Sequence, residues 1–137
     1  MSDRLKGKVC IVTGTGGSMG RAAALMFARQ GAKVVGCDVY PESAEETVEM
    51  VRGEGGDMVS LSRCDLTDPA SCAKLVDLAV STYGRVDVLF NNAGRNAGST
   101  PLDEYDVDLW NAVVATNLTG VFLCTCLLYT SPSPRDS

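Results

Sequence analysis

Ten residues constrain this chain more than any others: Val12-Thr13-Gly14-Thr15-Gly16-Gly17-Ser18-Met19-Gly20-Arg21. The apolar run Val9-Cys10-Ile11-Val12 leads into them, and Ala22-Ala23-Ala24-Leu25-Met26-Phe27-Ala28 leads out. That succession predicts a strand, a glycine-rich turn and a helix. The first turn of such a helix carries N–H groups without intrahelical acceptors and a partial positive charge. Glycines let a pyrophosphate approach the backbone with no Cβ in the way. The stretch is therefore a candidate dinucleotide phosphate site. A glycine cluster alone is equally compatible with a tight βα turn that binds nothing. The next feature shifts the balance. Val34-Val35-Gly36-Cys37-Asp38 reads as a second strand ending in a carboxylate, and Asp38 lies 18 residues past Gly20. This is near the separation at which an acid meets the adenosine ribose hydroxyls.

Composition narrows the remaining classes. At 137 residues the chain fits one domain, and its 45% hydrophobic and 21% charged residues are those of a soluble globular protein. A net charge of −5 argues against a nucleic-acid surface. The polar start Met1-Ser2-Asp3-Arg4-Leu5-Lys6 and the lack of any evident long apolar span lead to the expectation of no signal peptide, no membrane association and a cytoplasmic location. The chain has no histidine, which excludes histidine-based acid–base and nucleophilic catalysis. Of the cysteines only Cys124 and Cys126 are close in sequence, so no metal site is expected. Cys10, Cys37 and Cys64 read as buried free thiols in or beside strands.

Periodicity orders the rest. A strand over 8–13 precedes a helix over about 18–30, with Gly31 as its C-terminal stop. Pro41 and Ser43 open an acidic helix to about Arg52, whose Glu42, Glu45, Glu46 and Glu49 form a solvated face. Val59 and Leu61 alternate with Ser60 and Ser62, which predicts an edge strand over 58–63 with one wetter face. Asp68-Pro69 starts a helix with Cys72, Leu75, Val76, Ala79 and Tyr83 on one stripe, and Gly84 ends it. Val86 to Phe90 is a fourth strand, and Asn91-Asn92-Ala93-Gly94 sits at its C-terminal end, where open α/β sheets bind ligands. A polar loop to about Val107 leads to a helix placing Trp110, Val113, Val114, Val121 and Asn117 on one stripe, so the Asn117 amide is expected buried and in need of partners. Alternating strands and helices mean a parallel sheet covered on both faces.

Thr13-Gly14 to Gly20, Asp38, Asp65-Leu66, Asn91-Asn92-Ala93-Gly94 and Asn117-Leu118-Thr119-Gly120-Val121-Phe122 follow one another in an order and spacing that resemble the first half of a classical short-chain dehydrogenase/reductase, from about Gly7 to Cys124. The resemblance implies an α/β fold: a Rossmann-type doubly wound parallel sheet in the order 3-2-1-4, truncated after the fourth strand and following helix. It implies an NAD(P)-dependent oxidoreductase that moves a hydride between nicotinamide and a carbonyl/alcohol carbon of a small-molecule substrate, in a homo-oligomeric (dimeric or tetrameric) full-length protein. By the same resemblance Gly14, Thr15, Gly17, Ser18, Met19 and Gly20 hold the pyrophosphate, and Asp38 takes the adenosine ribose. Asp65 and Leu66 flank the adenine. Asn91, Asn92, Ala93 and Gly94 support the central strand and line the cleft, and Asn117 is the asparagine of the catalytic tetrad. Two alternatives stay open: a non-catalytic dinucleotide-sensing protein on the same fold, and a 3-oxoacyl thioester reductase.

The chain departs from the family pattern in three places. Ser18 stands where the family has the middle glycine of its Thr-Gly-x-x-x-Gly-x-Gly turn. The family's Tyr-x-x-x-Lys pair is missing: Tyr40, Tyr83, Tyr105 and Tyr129 are followed four residues later by Ala44, Asp87, Leu109 and Ser133. The segment from Cys126 to Asp136 resembles the translated end of a sequencing-library adapter. The expectation is an NAD-binding portion over 1–125 and a non-native tail over 126–137 that packs poorly and does not continue the preceding helix. The chain itself is expected to be catalytically inactive and marginally stable, with Val86 to Phe90 an exposed edge. Asp38, with no basic residue at Gly17 or Val39, implies NAD in preference to NADP.

Overall fold

The computed structural model describes residues 3–96 and 98–129. Four strands, β1 (Val9–Thr13), β2 (Lys33–Cys37), β3 (Asp57–Leu61) and β4 (Val88–Phe90), form one parallel sheet in the order β3-β2-β1-β4. Ile11 pairs with Val35 on one side and Leu89 on the other. The connections are helices α1 (Ser18–Arg29), α2 (Pro41–Gly53) and α3 (Pro69–Tyr83), followed beyond β4 by α4 (Val107–Val114) and α5 (Gly120–Tyr129). A single π-helical turn, Ala115–Thr119, joins the last two.

The pleat of β1 divides the core. Cys10 and Val12 point toward α1 and α2, where they meet Ala24, Val48, Val51 and Met58. Val9 and Ile11 point the other way, against Leu75, Val76 and Ala79 of α3 and Cys124 of α5. Both faces of β1 are therefore dry, as a central parallel strand requires. Asp68 caps α3 by accepting from the Ala70 amide at 3.1 Å, with Pro69 at the first helical position, and Gly84 stops it at φ +84°.

Four expectations need correction. The wetter face of the edge strand β3 is not the serine side: Met58 is fully buried under α2 with Ser60 half-buried beside it, while Asp57 is exposed and Val59 and Leu61 are half-buried on the α3 side. Room for Met58 comes from Gly36, where a Cβ would stand 2.6 Å from the Met58 Cε. The fourth strand, Val88–Phe90, is shorter than the apolar run: at Asp87 the backbone amide still donates to the Val9 carbonyl at 2.9 Å, but the Val9 amide is taken by the Asp87 side chain. The helix does not end at residue 125. It runs to Tyr129, and Leu127 and Leu128 pack on the α3 cluster, so apolar contact carries it past the expected boundary; the rest of the tail lies outside the described residues. Finally, Val107–Tyr129 is a continuous helical span of 23 residues with mean hydropathy 1.8, long and apolar enough to cross a membrane. Scattered polar residues such as Asp108, Asn111, Asn117 and Thr119 hide that span in the sequence. Only Gly120 and Cys124 of this span are buried, and Trp110 and Phe122 are 59% and 61% exposed.

Asp87 fastens β4 to β1. Its Oδ2 accepts from the Val9 amide at 2.9 Å, and its Oδ1 accepts from Arg85 Nη2 at 2.6 Å. Burial pushes this carboxyl up, but the Arg85 guanidinium and the Val9 amide outweigh it and hold it below the ordinary aspartate value. A group depressed by folding contributes fully above its unfolded pKa and loses that contribution as pH falls through the folded one. Stability is thus expected to decline as pH falls through and below the ordinary aspartate range. Asp87→Asn should flatten part of that decline in urea unfolding curves; an unchanged slope would show that Asp87 does not supply it.

Candidate cofactor site

The glycine turn is stitched to the end of β2. The Gly14 and Thr15 amides both donate to the Cys37 carbonyl, at 2.8 and 3.1 Å, and the Gly17 amide donates to the Gly14 carbonyl at 3.2 Å. Gly14 turns at φ +74°, a conformation that glycine alone adopts cheaply. A Cβ on Gly20 would collide with the Gly14 carbonyl oxygen and stand 2.9 Å from Asn92 Nδ2. A Cβ on Gly17 would meet nothing nearer than the Gly14 oxygen at 3.6 Å. Gly14 and Gly20 are therefore demanded by the protein's own packing, while Gly17 opens outward.

Gly17, Ser18 and Met19 are exposed, and Gly17 leads into the first turn of α1. The amides of that turn have no intrahelical acceptors and lie at the positive end of the helix. Such a cradle fits a pyrophosphate. Ser18 does not disturb it: the residue opens α1, and no described residue other than glycine has positive φ. Thr15 is placed differently from expectation. It is fully buried, and its hydroxyl donates to the Cys37 carbonyl at 3.3 Å, so its side chain braces the turn from within and cannot face a ligand.

Asp38 follows β2 at the lip of the turn. Its Oδ2 accepts from the Gly16 amide at 2.8 Å and its Oδ1 from the Tyr40 amide at 3.0 Å, which aims the carboxylate. Asp65 and Leu66 are brought alongside because the Cys64 amide donates to the Asp38 carbonyl at 3.0 Å. The Asp65 carboxylate accepts from the Thr67 hydroxyl at 2.6 Å and the Thr67 amide at 2.9 Å, and these bonds hold its pKa down. Leu66 is 8% exposed and belongs to the α3 cluster.

At the end of β4, the Asn92 and Ala93 amides donate to Thr13 Oγ1 at 3.0 and 2.9 Å, and Asn92 Nδ2 donates to the Thr13 carbonyl at 3.1 Å. Asn91 is half-buried, and Gly94 lies against Asn117, where a Cβ would come 3.4 Å from Oδ1. Asn117 itself is exposed, contrary to the helical stripe that placed it inside. The stripe itself is left uncovered: no residue of α4 is buried, and Trp110, which precedes the π-helical turn, is 59% exposed. The amide still finds partners: Oδ1 accepts from the Arg95 N–H at 2.7 Å and Nδ2 donates to the Arg95 carbonyl at 2.6 Å. Asn117 thereby latches the loop after β4.

The C-terminal ends of the strands thus gather residues 14–20, Asp38, Asp65, Leu66, Asn91 to Gly94 and Asn117. The motif contains Thr13 and Arg21 but does not show the hydrogen bonds they make, and Thr47 belongs to no motif. The one available signal was a lone hydroxyl closing an otherwise apolar strand at Thr13.

The family model for short chain dehydrogenases matches residues 8–132. The chain belongs to the short-chain dehydrogenase family. Its 3-oxoacyl-[acyl-carrier-protein] reductase relative from Thermotoga maritima is 40% identical over 124 residues, covering 89% of this chain and 49% of the relative. Among solved structures, an NAD+-bound xylitol dehydrogenase superimposes with a TM-score of 0.87 at 35% identity, covering 91% of this chain and 48% of that one. A metagenomic short-chain oxidoreductase in complex with NADP gives 0.85 at 30% identity, covering 91% of this chain and 56% of that one. The chain spans about half the length of several of the curated relatives that it matches in this family. The parallel order β3-β2-β1-β4 agrees with the order implied by the family resemblance.

Proposed function

We propose that this chain is the cofactor-binding half of a soluble, cytoplasmic NAD-dependent oxidoreductase that acts on a carbonyl or alcohol carbon of a small molecule and works as a homo-oligomer, dimer or tetramer. The observation that carries this proposal is the aimed Asp38 carboxylate beside an open helix N-terminus. Bound nicotinamide dinucleotide supplies the hydride acceptor or donor. The α1 amides offset pyrophosphate charge, Asp38 accepts from the ribose hydroxyls, and Asn117 keeps the Arg95 backbone in place beside Gly94. Proton transfer is assigned to a Tyr-x-x-x-Lys pair that these residues do not contain, so this chain alone is expected to show no turnover.

NAD is favoured over NADP by charge. A 2′-phosphate about 4 Å from the Asp38 carboxylate is opposed by up to ~4 kcal/mol at an effective dielectric near 20. Solvent and rearrangement reduce this to about 1–3 kcal/mol, roughly ten- to a hundredfold in affinity. Arg21, the cation of the first turn of α1, is engaged by α2 through Ser43, Glu46 and Thr47. Calorimetric titration of the chain with both cofactors tests the proposal. Tighter NAD binding is expected, with Asp38→Asn closing the gap; equal or tighter NADP binding overturns it.

The Thermotoga relative, at 40% identity, favours a second reading, a 3-oxoacyl thioester reductase. Thioesters and simple ketones, compared as substrates of the full-length protein, separate the two.

A further inference from the structure

Thr47 is fully buried in the wall between α1 and α2, a place that an isosteric valine would fill without polar demands. Its hydroxyl is used both ways. It donates to the Thr15 carbonyl at 2.6 Å and accepts from Arg21 Nε at 3.0 Å. Arg21 also donates from Nη2 to the Ser43 carbonyl at 3.2 Å and from Nη1 to Glu46 Oε1 at 3.3 Å. Thus one guanidinium and one hydroxyl join the glycine turn, the start of α1 and the first two turns of α2.

The joined parts form one side of the candidate site. Ser43 Cβ lies 2.8 Å from where a Gly16 Cβ would be, and Asp38 Oδ2 lies 2.9 Å from the same point. The Gly16 amide is also the donor that aims Asp38. A shift of α2 away from the turn would remove Ser43 from Gly16 and loosen that amide. The Thr15 carbonyl, which precedes Gly16, would lose its buried donor at the same time.

We propose that Thr47 and Arg21 are positioning residues for the adenosine ribose: they touch no ligand but hold the turn and α2 so that Asp38 stays aimed. The proposal rests on the NAD assignment above. It differs from simple helix packing in one measurable respect. A packing defect weakens every ligand of the site alike. A loosened Asp38 weakens NAD and spares NADP, because the carboxylate that helps one ribose opposes the 2′-phosphate of the other.

The test titrates the full 137-residue chain with NAD and NADP by calorimetry, as wild type, Thr47→Val, Thr47→Ser and Arg21→Lys. Thr47→Val is expected to weaken NAD about tenfold and to shrink the NAD-over-NADP ratio by a similar factor, because the bonds that tie the turn to α2 are lost and the Gly16 amide that aims Asp38 is loosened. Thr47→Ser keeps the hydroxyl and should restore both to within about threefold. Arg21→Lys keeps the charge without the fork and should fall between them. If Thr47→Val fails to fold by circular dichroism, Arg21→Lys decides on the same ratio. A wild type that does not prefer NAD overturns the cofactor assignment and this proposal with it. A wild type that does, with the ratio unchanged in the deciding variant, overturns this proposal alone.

Discussion

Gly20→Ala is expected to destabilise the chain by about 3 kcal/mol or more, roughly 10 °C in melting temperature, while Gly17→Ala stays within about 1 kcal/mol of wild type. The two glycines are three residues apart in one motif, and composition gives no reason to separate them. Their surroundings do. The added methyl at Gly20 would meet the Gly14 carbonyl oxygen and the Gly14 carbonyl carbon, the latter at 2.6 Å, with Asn92 Nδ2 at 2.9 Å. These are largely backbone atoms, held by the bond from the Gly17 amide to the Gly14 carbonyl, so they cannot swing aside as a flexible side chain could. Relief would require α1 to lift from the turn, which would also carry the first-turn amides away from the cradle. Dinucleotide binding should therefore vanish with stability at Gly20. At Gly17 the nearest atom is 3.6 Å away and the residue is exposed. Thermal unfolding of the two variants, measured side by side, checks the contrast; equal losses would refute the packing role assigned to Gly20.

Thr13→Val carries the second large effect, about 2–4 kcal/mol, against less than about 1 kcal/mol for Thr13→Ser. Thr13 is 1% exposed, and its Oγ1 accepts from the Ala93 amide at 2.9 Å and from the Asn92 amide at 3.0 Å. The Asn92 amide also reaches the Phe90 carbonyl at 2.9 Å, so it keeps a partner when the hydroxyl goes. The Ala93 amide loses its acceptor within the protein. Valine matches threonine in shape and offers nothing to accept with, so the half-buried Ala93 amide is left without its protein acceptor. The loss falls on the end of β4, from which Asn92, Ala93 and Gly94 lead to the Arg95 latch on Asn117. Urea unfolding gives the magnitude, and faster amide exchange at Ala93 localises it. A valine variant as stable as wild type would show that water satisfies that amide.

What the sequence determined by itself was whatever depends on neighbours along the chain. The strand–turn–helix unit, the Asp68-Pro69 helix start, the Gly84 stop and the alternation that makes a parallel sheet are all local, because capping, φ preference and hydrophobic period act within a few residues. The family motifs added the strand order and the gathering of Gly14 to Gly20, Asp38 and Asn92 at one edge. Tertiary structure decided what those local rules cannot reach. Thr15 and Thr13 bear hydroxyls in the same motif, yet they brace the turn and β4 respectively because of carbonyls and amides far along the chain, Cys37 for one and Ala93 for the other. Arg21 takes its partners, Thr47, Ser43 and Glu46, from 22 to 26 residues along the chain. Asn117 falls on an apolar stripe that the fold leaves uncovered, and the distant Arg95 backbone supplies the partners of its amide. Leu127 and Leu128 extend α5 through residues whose composition suggested a stop, since apolar burial against α3 outweighs the weak local preference. In each case the deciding partner is distant in sequence, and a hydrogen bond or a buried contact with it exists only once the sheet has brought the two ends together.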